Sequence, residues 1–364
     1  MNDTDTDTAS AVVNCHNEWD PLEEIIVGSI DGAVNLPWEV ALRAVTPAED
    51  VERARAFALE HGGQAIVPLL STPAQKELEE FVNILEGEGV IVRRPDYLDH
   101  ARPVSTPEWT SPAGNCNASP RDVLVVIGNE ILEAPMSWRS RYFEFLAYRS
   151  LVMEYWRQGA KWSAAPKPMM SDRLYNYDYE RGKEYVTTEF EPVWDAADIA
   201  RCGRDIFIQR SHVTNDAGIE WIRRHLGDEY RLHKVEFADD RAIHIDATFV
   251  PLAPGKIMVN PDRPTKVLPE ILKNGGWELL PAPRSTMSES HPQYRSFRWL
   301  SMNLLNLDEE RIIVEASEEP TIKQLRDWGF KPIPCDFRRL YRYGGSFHCA
   351  TVDVRRRGAL QSYF

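Results

Sequence analysis

With 364 residues, of which 43% are hydrophobic and 10% aromatic, the chain can bury a large core, and this composition sets aside disordered and fibrous classes. A formal net charge of -14 argues against nucleic acid or an anionic membrane as the main partner and suits a cationic small molecule. The five cysteines (Cys15, Cys116, Cys202, Cys335 and Cys349) are odd in number, widely spaced and free of any C-x-x-C pair, which argues against a disulfide framework or a zinc site.

The opening residues, MNDTDTDTAS, are polar and lack the basic start and apolar run of a secretory signal, and no stretch approaches the length of a membrane-spanning helix. A disordered tail is expected over 1–12 and a single domain over 13–364, in a reducing cytoplasm. Along that domain one arrangement recurs five times. An amphipathic helical stretch ends at glycine and gives way to a strand-like run in ILEGEGVIVRRP (84–95), YWRQGAKWSAAP (155–166), RRHLGDEYRLHKVEF (223–237), ILKNGGWELLPAP (271–283) and LRDWGFKPIPCDF (325–337). In VLVVIGNEILEAP (123–135) and ATFVPLAPGKIMVN (247–260) two apolar runs meet at a glycine-containing turn, predicting hairpins ahead of the helices. The repeated element is therefore ββαβ, compatible with a doubly wound sheet or with a closed ring of small modules. No G-x-G-x-x-G or P-loop pattern supports a nucleotide-binding sheet.

Four segments carry chemistry. EPVWDAAD (191–198) sets three carboxylates among apolar residues; it reads as a helix start with aspartate as N-cap, or as the source of an aspartate that fixes a histidine tautomer. IHIDATF (243–249) enters an apolar strand. Side chains two apart on a strand share a face, so His244 and Asp246 are expected to project together with Ile243 and Ile245 packed behind, either as an acid/base pair or as a polar strand end in water. NPDRP (260–264) presents Arg263 on restricted backbone, fit for bidentate capture of a carboxylate or for a plain surface turn. GGSFHC (344–349) puts Cys349 behind paired glycines that let the main chain approach a substrate closely; a packing cysteine is the bland alternative to a nucleophile. Neighbours on an extended chain point apart, so His348 is not expected to be the base for Cys349.

Across nearly its whole length, and in order, the chain resembles the amidinotransferase family, which includes glycine amidinotransferase and the inosamine-phosphate amidinotransferases. The resemblance is carried by HNEWDPLEEIIVG (16–28), PRDVLVVIGNEILEAPMSWRSRYFE (120–144), GAKWSAAPKPMMSDRLY (159–175), the 189–227 segment around WDAAD, HIDATF, NPDRP, RWLSMNLL (298–305) and GGSFHCATVDVRRRGALQSY (344–363). It implies the five-bladed α/β-propeller of the guanidine-modifying superfamily, built from pseudo-symmetric ββαβ modules around a central active-site channel. It also implies Cys349 as nucleophile, His244 as acid/base, Asp195 as its orienting carboxylate, Asp122 and Asp246 as holders of a guanidinium, and Arg263 as the grip on the donor's α-carboxylate.

A guanidinium is planar, cationic and poorly electrophilic, so it must be held flat between carboxylates while a thiolate attacks its carbon. The implied chemistry is a ping-pong transfer from L-arginine through S-amidino-cysteine to an amine, with ornithine released and neither a metal nor an organic cofactor required. Small-molecule substrates are the expected partners, with a homodimer as the family's habit. The sequence departs from the glycine-using pattern at Arg241, Ala242 and Ile243 and at Ser296 and Phe297, so Arg241, Ile243, Ser296 and Phe297 are the acceptor-pocket candidates and glycine, lysine or a natural-product amine the acceptors. A deiminase-like hydrolase giving citrulline and a non-catalytic arginine-binding protein are the alternatives. Cys15, Cys116, Cys202 and Cys335 are expected to pack in the interior, and Arg355, Arg356 and Arg357 to brace acidic neighbours.

Overall fold

A computed structural model describes residues 11–364. The expected tail falls mostly outside the described residues; Val12, which belonged to it, packs against the core that contains Val13 and Val126. All five predicted helix-to-strand units are present: Pro68–Gly87 to Ile91–Arg93, Arg149–Arg157 to Lys161–Ala164, Asp216–Leu226 to Arg231–Phe237, Glu270–Asn274 to Glu278–Pro281, and Glu319–Asp327 to Lys331–Cys335. Each turn out of a helix uses a glycine with positive φ (Gly89, Gly159, Gly227, Gly276 and Gly329), a conformation that a Cβ would penalise.

Each returning strand pairs in parallel with the middle strand of its own module, and that middle strand pairs antiparallel with an inner one. The predicted hairpins are Leu124–Ile127 with Glu130–Glu133 and Phe249–Ala253 with Lys256–Val259, turning at Gly128 and Gly255. Ile199–Cys202 with Asp205–Gln209 and Leu305–Asn306 with Arg311–Glu315 supply two more, and Thr265–Val267 adds an edge strand to the third module. In the first module the inner strand comes from the far end of the chain: Thr351–Arg356 runs antiparallel to Leu22–Val27, with Ile25 opposite Asp353 and Val27 opposite Thr351.

Inner strands such as Leu124–Ile127 and Ile199–Cys202 are buried throughout, whereas the returning strands Ile91–Arg93 and Glu278–Pro281 are partly exposed. The apolar clusters link neighbours in turn. One joins modules one, two and three, a second modules three and four, a third modules four and five, and a fourth, around Phe81, Ile313 and Phe347, returns from five to one. Five ββαβ modules thus close into the α/β-propeller. Among the described residues no helix is long and apolar enough to cross a membrane.

Candidate active site

Five of the residues singled out from the sequence converge because each lies just before an inner strand, whereas Arg263 follows the middle strand Lys256–Val259. Asp122 sits on the short helix Pro120–Val123 before Leu124, Asp195 precedes Ile199, His244 and Asp246 precede Phe249, and Cys349 precedes Thr351. The fifth module contributes Asn303, two residues before Leu305. All six are buried.

His244 Nε2 lies 3.1 Å from Asp195 Oδ2, and His244 Nδ1 lies 3.5 Å from Asp122 Oδ1. Cys349 Sγ is 3.3 Å from Asp246 Oδ2, which also takes a 2.8 Å bond from His348 Nδ1. Asn303 holds the cysteine turn: its Oδ1 accepts from the Cys349 and Ser346 backbone N–H groups at 3.0 and 3.2 Å, and its Nδ2 lies 3.2 Å from Sγ. From the other side Phe347 stacks on Phe337 with ring centroids 4.4 Å apart. Gly345 passes so close that an added Cβ would stand 2.3 Å from the Cys349 Cβ.

Burial pushes the Cys349 thiol up to about 12, with Asp246 adding to the rise and His244 pulling against it. Burial works to lower His244 but is outweighed by Asp122, Asp195 and Cys349, which hold the imidazole well above its ordinary value. The unliganded pocket therefore favours a neutral thiol beside an imidazolium. Among the described residues the buried Asp122 Oδ1 and Asp246 Oδ1 make no hydrogen bond, which leaves two acceptors for a cationic donor, the first of them beside the His244 ring. Asp122, His244 and Cys349 also offer ligand atoms within 4.8 Å of one another, an oxygen, nitrogen and sulfur set that suits a thiophilic cation.

Some local geometry differs from expectation. His244 and Asp246 do not alternate along a strand: His244 has φ 50° and residues Ile245–Ala247 form a 3-10 turn, the strand beginning at Phe249. Two polar side chains with different buried partners, Asp195 for one and Cys349 for the other, are better served by a tight turn than by a shared strand face. Asp195 does open a 3-10 turn, yet its side chain makes no capping bond and reaches His244 instead. The cysteine segment is a turn, not an extended chain, and the His348 ring is spent on Asp246 and, at 3.4 Å, Glu18.

Arg263 Nη1 donates to Thr248 Oγ1 at 2.9 Å and its Nε pairs with Asp239 at 2.9 Å. Of the acceptor candidates, Arg241 bonds the Arg295 carbonyl, Ile243 packs beside Trp138 and Val213, and Ser296 and Phe297 lie on the short helix Tyr294–Phe297. Among the described residues none of the four hydrogen-bonds Cys349, His244, Asp122 or Asp246. Phe297 lines a cavity of about 540 Å³ with Pro73, Met287 and Tyr341, and Tyr294 and Arg295 line another of about 560 Å³ with Asp262 and Trp299; neither reaches Cys349. Sequence reasoning missed Asn303, although it stands at the position before an inner strand where the other modules place their site residues. All five cysteines are free and buried, and Arg355, Arg356 and Arg357 pair with Glu23, Glu24 and Asp353.

A buried cysteine, an imidazole held by an aspartate and two further buried carboxylates thus meet beside the inner strands of a five-module ring. The ring alone is shared with the N-terminal domain of a cyanobacterial arginine dihydrolase at 13% identity, TM-score 0.60, over 92% of this chain and 98% of that one. No family model matches the sequence. Full-length likeness is much higher elsewhere: the chain is 49% identical to an L-arginine:L-lysine amidinotransferase of Pseudomonas savastanoi pv. phaseolicola, covering 96% of this chain and 95% of that protein. A mitochondrial glycine amidinotransferase of Danio rerio is 47% identical over 97% of this chain and 85% of its own length. The solved structure of SxtG, an amidinotransferase from Microseira wollei in the saxitoxin biosynthetic pathway, superposes with TM-score 0.89 at 52% identity, over 97% of this chain and all of that one. The chain belongs to the amidinotransferase family.

Proposed function

We propose that the chain moves the amidino group of L-arginine to a primary amine through an S-amidino intermediate on Cys349. The observation that carries the reading is a pair of buried carboxylate oxygens beside Cys349 and His244, Asp122 Oδ1 and Asp246 Oδ1, that make no hydrogen bond among the described residues, the first facing only the His244 ring at 3.5 Å. A guanidinium lying between them delivers positive charge to a site that disfavours thiolate, so the donor itself helps Cys349 to lose its proton to water, His244 being already protonated. Sulfur attacks the guanidinium carbon. His244, oriented by Asp195, protonates the δ-nitrogen as its bond to that carbon breaks, and ornithine leaves. The acceptor amine then attacks the amidino carbon, gives its proton to His244 and expels the sulfur. Arg263, whose Nη1 and Nε are engaged by Thr248 and Asp239 while its Nη2 makes no hydrogen bond among the described residues, is assigned to the donor's α-carboxylate.

The family members named above act on different acceptors, and Arg241 and Ile243, next to His244, together with Ser296 and Phe297 are where acceptor choice is assigned. Five unpaired cysteines fit a reducing cytoplasm. The test is incubation with guanidino-labelled arginine, alone and with a panel of amines, following ornithine, citrulline, ammonia and label on Cys349. Ornithine release that depends on an amine, with label retained on the protein when the amine is withheld, is the expected result. Citrulline and ammonia formed from arginine alone would refute it.

A further inference from the structure

Each of the two guanidinium-facing carboxylates has one oxygen hydrogen-bonded to a cation and one that makes no hydrogen bond among the described residues. Asp122 Oδ2 is held at 2.7 Å by Arg141 Nη1, while Asp122 Oδ1 makes no hydrogen bond among the described residues and faces His244 Nδ1 at 3.5 Å. Asp246 Oδ2 is held at 2.8 Å by His348 Nδ1, while Asp246 Oδ1 makes no such bond. Behind each buried cation stands a buried glutamate. Arg141 forks onto Glu144 with bonds of 2.8–3.0 Å, and His348 Nε2 faces Glu18 at 3.4 Å. Glu18 is itself gripped by Arg201 at 2.7 and 2.8 Å. The same sequence of groups, carboxylate, cation, carboxylate, thus occurs twice, from unrelated parts of the chain.

We propose that Arg141 with Glu144, and His348 with Glu18, are positioning residues that fix the rotamers of Asp122 and Asp246, so that one oxygen of each faces the guanidinium. The inference rests on arginine being the donor. A buried carboxylate left to itself takes up a proton or turns towards whatever donor is near, and either response removes an acceptor from the substrate. A cation bound to the rear oxygen blocks both responses, and the glutamate behind it keeps the cation charged and in place. Burial and Arg121 act to lower His348, but its bonds to Asp246 and Glu18 prevail and raise it. Burial acts to raise Asp246, but His348 prevails and holds it below the usual carboxylate range. The positioned pair supplies to the planar ligand what a single floating carboxylate cannot, two acceptors already aimed before binding.

Binding separates this role from mere stability if it is measured on protein that cannot react. In a Cys349→Ala background, affinity for arginine and for ornithine is compared by calorimetry with and without Arg141→Lys or His348→Gln. Arginine and ornithine share the α-amino acid end, and only arginine carries the guanidinium. Each added substitution is expected to weaken arginine at least tenfold and to leave ornithine within about twofold, since a hydrogen bond to a charged group typically carries that much binding. In the reactive enzyme the same substitutions are expected to raise KM for arginine far more than they lower kcat. Equal loss of both ligands, or arginine binding unchanged, overturns the proposal. The two clamps come from different modules, so if one variant does not fold the other still decides. Absence of arginine binding in the Cys349→Ala parent would refute the donor reading, and with it this inference; binding by the parent with no selective loss in the variants would refute this inference alone.

Discussion

Asp246→Asn should make Cys349 more reactive towards a neutral alkylating agent while making the enzyme worse at its own reaction. The thiol stands at about 12 against an ordinary 9.0, a thousandfold smaller thiolate fraction and roughly 4 kcal/mol. Two unit charges at the 3.3 Å separation of Sγ and Asp246 Oδ2 would interact by about 5 kcal/mol at an effective dielectric of about 20. That exceeds the whole rise, of which burial is the larger cause and which His244 opposes, so the carboxylate's own share is set at about one of the three pK units, or about 1.4 kcal/mol. Replacing it should raise the thiolate fraction about tenfold near pH 8. A less basic thiolate is also a weaker nucleophile, with a Brønsted slope of about 0.4–0.5, so the net gain in alkylation is about threefold. The assay is the initial rate of iodoacetamide modification of Cys349, read by peptide mass spectrometry between about pH 7 and 10 so that the other four cysteines are scored apart. Ornithine release should fall by about 100-fold or more in parallel, because the donor loses one charged acceptor. Alkylation of the variant as slow as that of the parent, or slower, would refute the assignment of Asp246 as the charge that disfavours thiolate.

Gly345→Ala should abolish turnover, because a Cβ there stands 2.3 Å from that of Cys349, while Gly344→Ala, with open space around it but φ 97°, should cost only about 1–2 kcal/mol of stability; a thermal melt beside a rate assay distinguishes them. Asn303→Ala leaves two buried backbone N–H groups without their acceptor and should destabilise the fold by about 2–4 kcal/mol in urea titration. His348 has a raised pKa in the folded state, so the stability it contributes is fully present below its unfolded value of about 6.5 and is lost as pH rises through the folded one. His348→Gln should therefore flatten the alkaline decline of Tm, and an unchanged profile would count against the charged pairing with Asp246 and Glu18.

What the sequence made legible follows from how local each signal is. The five helix-to-strand units were readable because every exit turn needs a glycine at positive φ, and Gly89, Gly159, Gly227, Gly276 and Gly329 stand where the periodicity changes. Pattern alone brought His244 and Asp246 together but mistook the geometry, since nothing in IHIDATF announces a left-handed histidine. Arg141, Glu144 and Glu18 were illegible as a set. Each is an ordinary charged residue within its own segment, and only the packing of Arg201 and Glu18 beneath the cysteine turn shows that Glu18 belongs beside His348, 330 positions away. Asn303 was within reach, because RWLSMNLL occupies in the fifth module the place that HIDATF occupies in the fourth.

Closure of the ring bears on how a reactive protein is made. Cys349 stands two residues before Thr351–Arg356, the strand that completes the sheet begun by Leu22–Val27. During synthesis at about 5–20 residues per second, the first module therefore waits for its inner strand until the other four have left the ribosome. The thiol reaches its carboxylates, and so its chemical competence, only when the distant ends of the ring have met, at the entropic cost of closing a very long loop. A chain cut short anywhere before residue 349 is thus inert as well as incomplete. A circular permutant that opened the ring at the Gly255 turn instead would carry Cys349 through synthesis already joined to Leu22–Val27, with His244 and Asp246 as the last groups to arrive.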